Sequence, residues 1–353
     1  MIYKLKLTPV GNYFFGTEKT FGEGSGANYS AKSSHFPQQT TLLGMLRYEM
    51  LKQNKQIPIN NKLVAKELIG ANSFNSRLVQ SYGQIERLSP LFLQTDDEVF
   101  FISPRNKQVF YEDVSEKHIF QNLNFKLCPE KAFSFTLNQD NKVEAVERMK
   151  PVLQDFDLKT FYEDYFMSFG LTKKLLMKEV FTEHSQIGIT KSYDSGTKNK
   201  AFFKKTSYNL KKGLSFACWI ELNDEINWSN ELVFMGAERS TFLLEVGQPE
   251  TQWYDEKFDL AKKEGNAIVL LSDAYVGSQI YKECDFALTS LVDFRNFESN
   301  LSSNFGKLLP KTNLKMNLIK KGSVFYANDL GNLTEALNNN IFQRIGYNAY
   351  MTI

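Results

Sequence analysis

The sequence predicts an α+β protein, in which strands are interrupted by helices without regular βα alternation. Three observations carry that expectation. Both ends of the chain alternate apolar and polar residues as strands do: Tyr3, Leu5 and Leu7 against Lys4 and Lys6 at the start, and Ile345, Tyr347, Ala349, Met351 and Ile353 at the finish. An amphipathic helix follows, because Leu42, Met45, Leu46 and Met50 recur at three- and four-residue spacing with Arg47, Glu49 and Lys52 opposite. The second half then carries several strand-like runs with little helical pattern between them.

Taken in order, the opening strand leads into Pro9 to Pro37, where Gly11, Gly16, Gly22, Gly24 and Gly26 stand among Ser, Lys and aromatic residues and predict a loop. Pro90 to Leu93 and Val99 to Ile102 flank the polar tetrad Thr95, Asp96, Asp97 and Glu98, as in a hairpin. From about Val143 to Val180, apolar and charged residues mix at helical spacing, which predicts a helical middle. Leu214, Phe216, Cys218, Ile220 and Leu222 alternate as a strand, and Ala267 to Ser272 is a short apolar run fit for a buried one. Gly322 to Ala327 reads as strand and Leu333 to Phe342 as helix. No tandem repeat occurs, but two divergent copies of one small α+β unit fit this order, with a boundary between residues 185 and 212.

At 353 residues, 42% hydrophobic and 23% charged, the chain is globular and long enough for about two domains, which excludes a disordered or fibrous protein. Lys plus Arg total 42 and Asp plus Glu 40, so any affinity for nucleic acid must come from local clustering. Cys128, Cys218 and Cys284 form no CxxC pair, and their odd number argues against a disulfide framework, so a reducing compartment is expected. The N-terminus lacks the continuous apolar stretch of a signal peptide, and the most apolar run, Ala267 to Leu271, is far short of the ~20 residues that cross a bilayer. A soluble, cytoplasmic protein is expected.

The three histidines, His35, His118 and His184, are isolated, with no HExxH, paired Cys or EF-hand loop, so no metal and no other cofactor is expected. Asp96, Asp97 and Glu98, and Asp155 with Asp157, read as solvated turns and surfaces. GNYFFGT lacks the lysine of a phosphate-binding P-loop, and GEGSGA lacks the third glycine of a dinucleotide loop. What remains is a loop rich in backbone donors that carries Lys19, Phe21, Ser25, Tyr29, Lys32 and Ser33 ahead of a helix N-terminus. That chemistry suits a phosphate backbone with stacked bases, or simply a mobile surface loop. Thr190 to Lys212 holds seven lysines against Asp194, a local charge of +6, with Tyr193, Phe202, Phe203 and Tyr208 interleaved. Lys307 to Lys321 holds five lysines and no acid. Cations interleaved with aromatics fit single-stranded RNA, although a lysine run can equally be a solvated face.

Particular residues then resemble a family. FFGTEKTFGEGSGANYSAKSSHFPQQTTLLGMLRYEML is similar to the first strand, long loop and Pro-x-x-Thr-Thr-x-x-Gly-x-x-Arg helix of RAMP proteins in type III CRISPR effectors, through Pro37, Thr40, Thr41, Gly44 and Arg47. IGITKSYDSGTKNKAFFKKTSYNLKKGLSFACWIEL resembles the family's middle segment through Gly188, Gly196, Phe203, Gly213 and Phe216. FMGAERSTFLLEV, with Gly236, Glu238 and Arg239, resembles its Gly-Gly-Glu-Arg element. KKGSVFY, with Gly322, Ser323 and Tyr326, resembles its Ala-Gly-Ser-Val-Tyr strand, and RIGYN its closing Gly-Phe/Tyr-Asn. Gln38, Gln39 and Ala237 depart from the pattern. In order along nearly the whole chain, these elements resemble the third-subunit family of the type III-B (Cmr) complex, which caps the 5′ end of the guide RNA.

The resemblance implies two packed ferredoxin-like (RRM-related) units, residues 1–185 with helical and hairpin insertions and residues 186–353. It implies recognition of the repeat-derived 5′ tag of CRISPR RNA (crRNA), no nuclease activity, and contacts to a large polymerase-like subunit and a backbone RAMP subunit. The residues expected to meet RNA are Lys19, Lys32, Ser33 and Arg47 for phosphates, Tyr29 and His35 for bases, and Lys204 and Arg239 as supporting cations. The competing role for Arg47 is a helix-surface ion pair, and for Arg239 a salt bridge with Glu238 or another acid. The equivalent 5′-capping subunit of another type III complex shares the opening motif and is an alternative, and two other function classes fit the same sequence. One is a metal-free endoribonuclease that processes precursor crRNA with His35, Tyr29 and Lys32; the other is a protein scaffold without RNA contact.

Overall fold

The computed structural model describes residues 1–16, 29–112, 117–122, 124–137, 143–154, 164–192, 196–225, 228–236, 238–260, 265–295, 315–327 and 329–353. The chain begins with β1 (Ile2–Pro9), in which Tyr3, Leu5 and Leu7 are buried while Lys4 and Lys6 are partly exposed, as the alternation predicts. Within the segment read as a loop, β2 (Tyr29–Lys32) forms a short strand. Then come α1 (Gln39–Gln53), α2 (Lys62–Ile69), β3 (Ile85–Leu88) and the hairpin of β4 (Phe92–Gln94) and β5 (Val99–Ile102), where Leu93 faces Phe100. Two ribbons follow, β6 (Lys107–Glu112) with β7 (Lys117–Asn122), and β8 (Asn124–Leu137) with β9 (Val143–Gln154).

The predicted helical middle is overturned. β9 pairs with β8 almost residue for residue, and beyond it lie β10 (Tyr165–Ser168) and β11 (Lys174–Leu176); among the described residues of this stretch one helical turn remains, α3 (Met177–Val180). One physical feature hid β10: all four of its residues are buried, so the strand shows no polar-apolar alternation.

The second half contains β12 (Phe181–Ser192), β13 (Gly196–Leu210), β14 (Ser215–Leu222), β15 (Glu231–Met235), β16 (Ser240–Glu250), α4 (Tyr254–Lys257), β17 (Ala267–Leu270), β18 (Phe286–Leu288), β19 (Leu291–Phe294), β20 (Met316–Ile319) and β21 (Val324–Tyr326). The predicted helix over 333–342 is two, α5 (Gly331–Leu337) and α6 (Asn340–Gln343), because the Asn339 side chain accepts from the amides of Ile341 and Phe342 and starts a new N-terminus. Only Tyr350–Thr352 of the alternating C-terminus is strand, β22. Ile345 and Tyr347 enter the core from a turn, with Asn348 at φ 54°.

The main sheet has nine strands in the order β11-β10-β5-β4-β14-β1-β16-β15, with β3 also on β14, and every pairing is antiparallel. It draws strands from both sides of residue 185. β14 is its hub and is buried on both faces. On one face, Phe216 and Cys218 join Leu5, Leu7, Val233 and Met235 in the main core cluster with Leu42, Leu46 and Met50 of α1. On the other, Trp219, Phe92, Phe101 and Met167 pack with Val269 of β17, Tyr254 and Met351. Fully burying each such side chain stabilises the fold by roughly 1.5–3 kcal/mol. Apart from the main sheet stand β12-β13-β2, in which β2 runs parallel to β13, the four-stranded β18-β21-β17-β22 and the pair β19-β20. Among the described residues no helix is long and apolar enough to cross a membrane.

Candidate nucleic-acid interface

β2 fixes the segment that follows it. Its residues pair with β13 from Tyr29↔Phe203 to Lys32↔Thr206, and the Ser33 amide continues the ladder to the Thr206 carbonyl at 2.9 Å. Ser33 is buried. Its hydroxyl accepts from the Phe15 amide at 2.8 Å and donates to the Ser34 carbonyl at 2.8 Å, so it holds the segment rather than facing outward. The Tyr13 hydroxyl donates to the His35 carbonyl at 3.0 Å. The His35 ring packs against Phe181 and Tyr208, with centroids 4.4 and 4.2 Å away and interplanar angles of 33° and 37°. Those two rings are themselves only 6.0 Å apart, so they meet His35 from directions about a right angle apart and leave its outer edge open.

Three lysines gather at this edge. Lys32 reaches Glu183 at 3.6 Å and lies 5.9 Å from the Tyr208 ring centre. Lys320 and Lys321 arrive from the turn between β20 and β21, which Gly322 makes possible at φ +84°, where a side chain would stand 3.0 Å from the Ser103 carbonyl. Lys320 pairs with Asp164 at 3.4 Å, and the Lys321 ammonium sits 3.3 Å from the centre of the Phe36 ring. Burial, helped by the charges of Lys32, Lys321 and Lys320 and opposed by Glu183, pulls His35 down to about 4, so the imidazole is neutral at physiological pH. Burial also pulls Lys321 down to about 8, with Asp273 opposing and Lys320 reinforcing. Lys32 moves up, chiefly through its hydrogen bond to the Tyr208 hydroxyl.

A second basic surface lies along β13. Lys204 is exposed and pairs in register with Ser30 and with Ile187. Its neighbour Lys205 bonds to Glu238 and lies 4.8 Å from the Phe14 ring centre, tying the turn at 236–239 to the strand. Gly236 at φ 79° and Arg239 at φ 52° shape that turn, and the Arg239 side chain is exposed. The bond to Glu238 thus belongs to Lys205.

Arg47 is placed elsewhere. It is buried, and its Nε and Nη2 donate to the carbonyls of Ile69 and Gly70 at 2.8 and 3.4 Å, so it clamps the C-terminus of α2. Burial lowers its guanidinium to about 10. Lys19 and the side chain of Tyr29 lie outside the described residues. Among the sequence-predicted residues the structure therefore brings together Lys32 and His35 on one surface, while Lys204 and Arg239 are each exposed, with Lys205 rather than Lys204 reaching the turn that holds Arg239. It adds Lys320, Lys321, Tyr208 and Glu183 to the surface of Lys32 and His35. Lys320 and Lys321 were visible in the sequence as the end of a basic run, but nothing local says that they fold back onto residues 32–36. Among the described residues no group of His, Cys, Asp and Glu is arranged to hold a metal ion.

The architecture defined here is a broad antiparallel sheet with protruding ribbons and a cluster of part-buried cations. The fold is shared with chains in two cryo-EM structures, of the type III-B Cmr-beta bound to cognate target RNA and of the same assembly with AMPPnP in its state 1. TM-scores are 0.55 and 0.53 at 13% identity, and each match covers 99% of this chain and 96% of the other. Residues 5–352 match the family model of the CRISPR-associated protein Cas_Cmr3, and the chain belongs to that family, as a subunit of the type III-B CRISPR system. No curated protein sequence matches it.

Proposed function

We propose that this chain binds the repeat-derived 5′ tag of crRNA without cutting it, and anchors the large polymerase-like subunit and a backbone RAMP subunit at that end of the complex in the cytoplasm. On this reading its two halves, residues 1–185 and 186–353, are ferredoxin-like units that meet across the main sheet. The observation that carries the proposal is the convergence of Lys32, Lys320 and Lys321 on the surroundings of a neutral His35 that packs against Phe181 and Tyr208. Two of these lysines come from residues nearly 290 positions away from the third, yet they meet on one surface. Glu183 and Asp164 compensate Lys32 and Lys320 at 3.6 and 3.4 Å, and a phosphodiester that displaces these carboxylates would find three converging donors beside the Phe36 and Tyr208 rings.

The same geometry argues against cleavage. Metal-free RNA hydrolysis needs a base for the 2′-hydroxyl proton and an acid for the leaving oxygen, both titrating near the working pH. With a pKa of about 4, His35 carries almost no proton to donate at neutral pH, and the rings of Phe181 and Tyr208 fix its position. The test is to incubate the full chain with repeat-containing RNA in EDTA, measuring binding and products together. Tag-dependent binding without discrete products is expected. Site-specific cleavage that disappears in His35→Ala would install the endoribonuclease instead.

A further inference from the structure

The main-sheet face opposite α1 is covered over only part of its width. Beneath β17 and Tyr254 it is packed with Trp219, Phe92, Phe101 and Met167. Toward the β15 edge this cover stops. There, three strands in register set Thr8 beside Leu243 beside Leu232, and Thr241 beside Phe234, while the Val10 amide bonds to the Thr241 carbonyl. Val10, Leu232 and Phe234 are 61, 52 and 54% exposed, and Leu243 is exposed beside them. On the same strand Val233 and Met235 are buried in the core that α1 covers. β15 is therefore apolar on both faces, as expected of a strand covered on both, not of one with a wet face.

Three features say what covers it. Lys6 and Glu245 at its margin are 3.4 Å apart and neutralise each other, so the face offers a phosphate backbone little attraction. Six partly exposed side chains also make a face smaller than the roughly 800 Å² per partner of a standard protein–protein interface, so its occupant is one segment of a partner whose contact extends further, not a whole domain. Finally, β15 ends the sheet. Among the described residues, Glu231–Met235 make ladder pairs only to β16, leaving the outer row of backbone donors and acceptors to be completed by another strand.

We propose that this face and the open edge of β15 dock another protein subunit of the type III-B complex, through an apolar extended segment that lies along β15 and covers Leu232, Phe234 and Leu243. The proposal rests on the family membership and stands independently of where RNA binds. To test it, a photo-crosslinking phenylalanine analogue replaces Phe234 in the full chain, which is then assembled with the other subunits of its own complex and crRNA. Irradiation is expected to join it to an extended segment of one other subunit. An adduct with RNA, with a second copy or with this chain itself, or no adduct at all, overturns the proposal. In parallel, Leu232→Asp with Phe234→Asp should reduce incorporation into the complex about tenfold or more, while RNA affinity of the isolated chain stays within about twofold. Incorporation at the wild-type level refutes the docking surface, and lost RNA binding with normal incorporation would bear on the tag-binding proposal instead. Should the double variant melt early, the crosslink alone decides.

Discussion

The two basic surfaces of this chain hold their cations in different ways. Around His35, Lys321 is packed against the Phe36 ring, while Lys32 and Lys320 are held at the surface in ion pairs with Glu183 and Asp164. Along β13, Lys204 and Arg239 extend from the surface into water. A cation held away from water beside other cations costs free energy in the unliganded protein, and an anion at that position recovers it. An exposed lysine carries no such cost and gives mainly long-range attraction that salt screens. On the proposed RNA-binding reading, the comparison separates a cluster whose packed Lys321 would fix a phosphate in place from exposed cations that would draw RNA toward the chain.

The largest expected effect tests that separation directly. Replacing Lys32, Lys320 and Lys321 together by Ala should weaken RNA binding by about a hundredfold at moderate salt and reduce the slope of log K against log salt by ~2, since each lost single-strand phosphate contact contributes about 0.7. Lys204→Ala with Arg239→Ala should cost about tenfold or less, most of it gone at high salt. Equal losses from the two sets would dissolve the distinction. A different outcome is expected of Arg47. Arg47→Leu should lower stability by about 2–3 kcal/mol, because the carbonyls of Ile69 and Gly70 lose a buried donor, while the RNA affinity of the folded protein remains unchanged. Chemical denaturation combined with binding measured below the transition separates the two effects.

Much of the fold was legible because its patterns are local. β1, α1, the β4–β5 hairpin, β14, β17 and β21 all follow from spacing that a short window contains. The middle was misread in part because β10 is buried against β5, more than 60 residues earlier, so its burial is decided by distant residues. The site divides in the same way. Lys32 and His35 sit in a segment whose composition pointed to phosphate, whereas Lys320 and Lys321 reach it only because the Gly322 turn brings a late segment onto an early one. Arg47 misled for the opposite reason: its helical position placed it on the face opposite Leu42 and Leu46, and the packing of α2 against α1 buried that face too.

His35 gives a smaller effect with a definite sign. Its folded-state pKa of about 4 lies below the roughly 6.5 of an unfolded chain, so between these values the unfolded state takes up a proton that the native state refuses. The stability associated with neutral His35 is complete above about 6.5, is lost as pH falls from there toward 4, and changes little below. Because the ring is partly exposed, the loss should be ~1–2 kcal/mol, less than the full shift would give. His35→Phe, which keeps a ring against Phe181 and Tyr208, should flatten this part of the stability profile. An unchanged acid limb would mean that the ring is wetter than its packing indicates, and would weaken the contrast with the β13 surface.

The smallest expected effect sharpens the comparison most, because only one of the two surfaces can produce it. With a pKa of about 8, Lys321 is partly deprotonated in mildly alkaline solution. The groups around it are Lys320, which favours the neutral form, Asp273, which favours the charged form, and the Phe36 ring, whose face favours the cation. A phosphate beside Lys321 adds a negative charge and raises its pKa in the complex, so RNA binding takes up a proton wherever the free lysine has lost one. Affinity should then fall as pH rises from about 7 to 9, by roughly fivefold to tenfold, before ordinary lysines begin to titrate. Lys321→Arg keeps the positive charge through this range and should remove most of the dependence, whereas Lys204→Arg should leave it intact. A pH profile that is flat in the wild type, or unaltered by Lys321→Arg, would mean that no phosphate approaches the Phe36 side of the cluster.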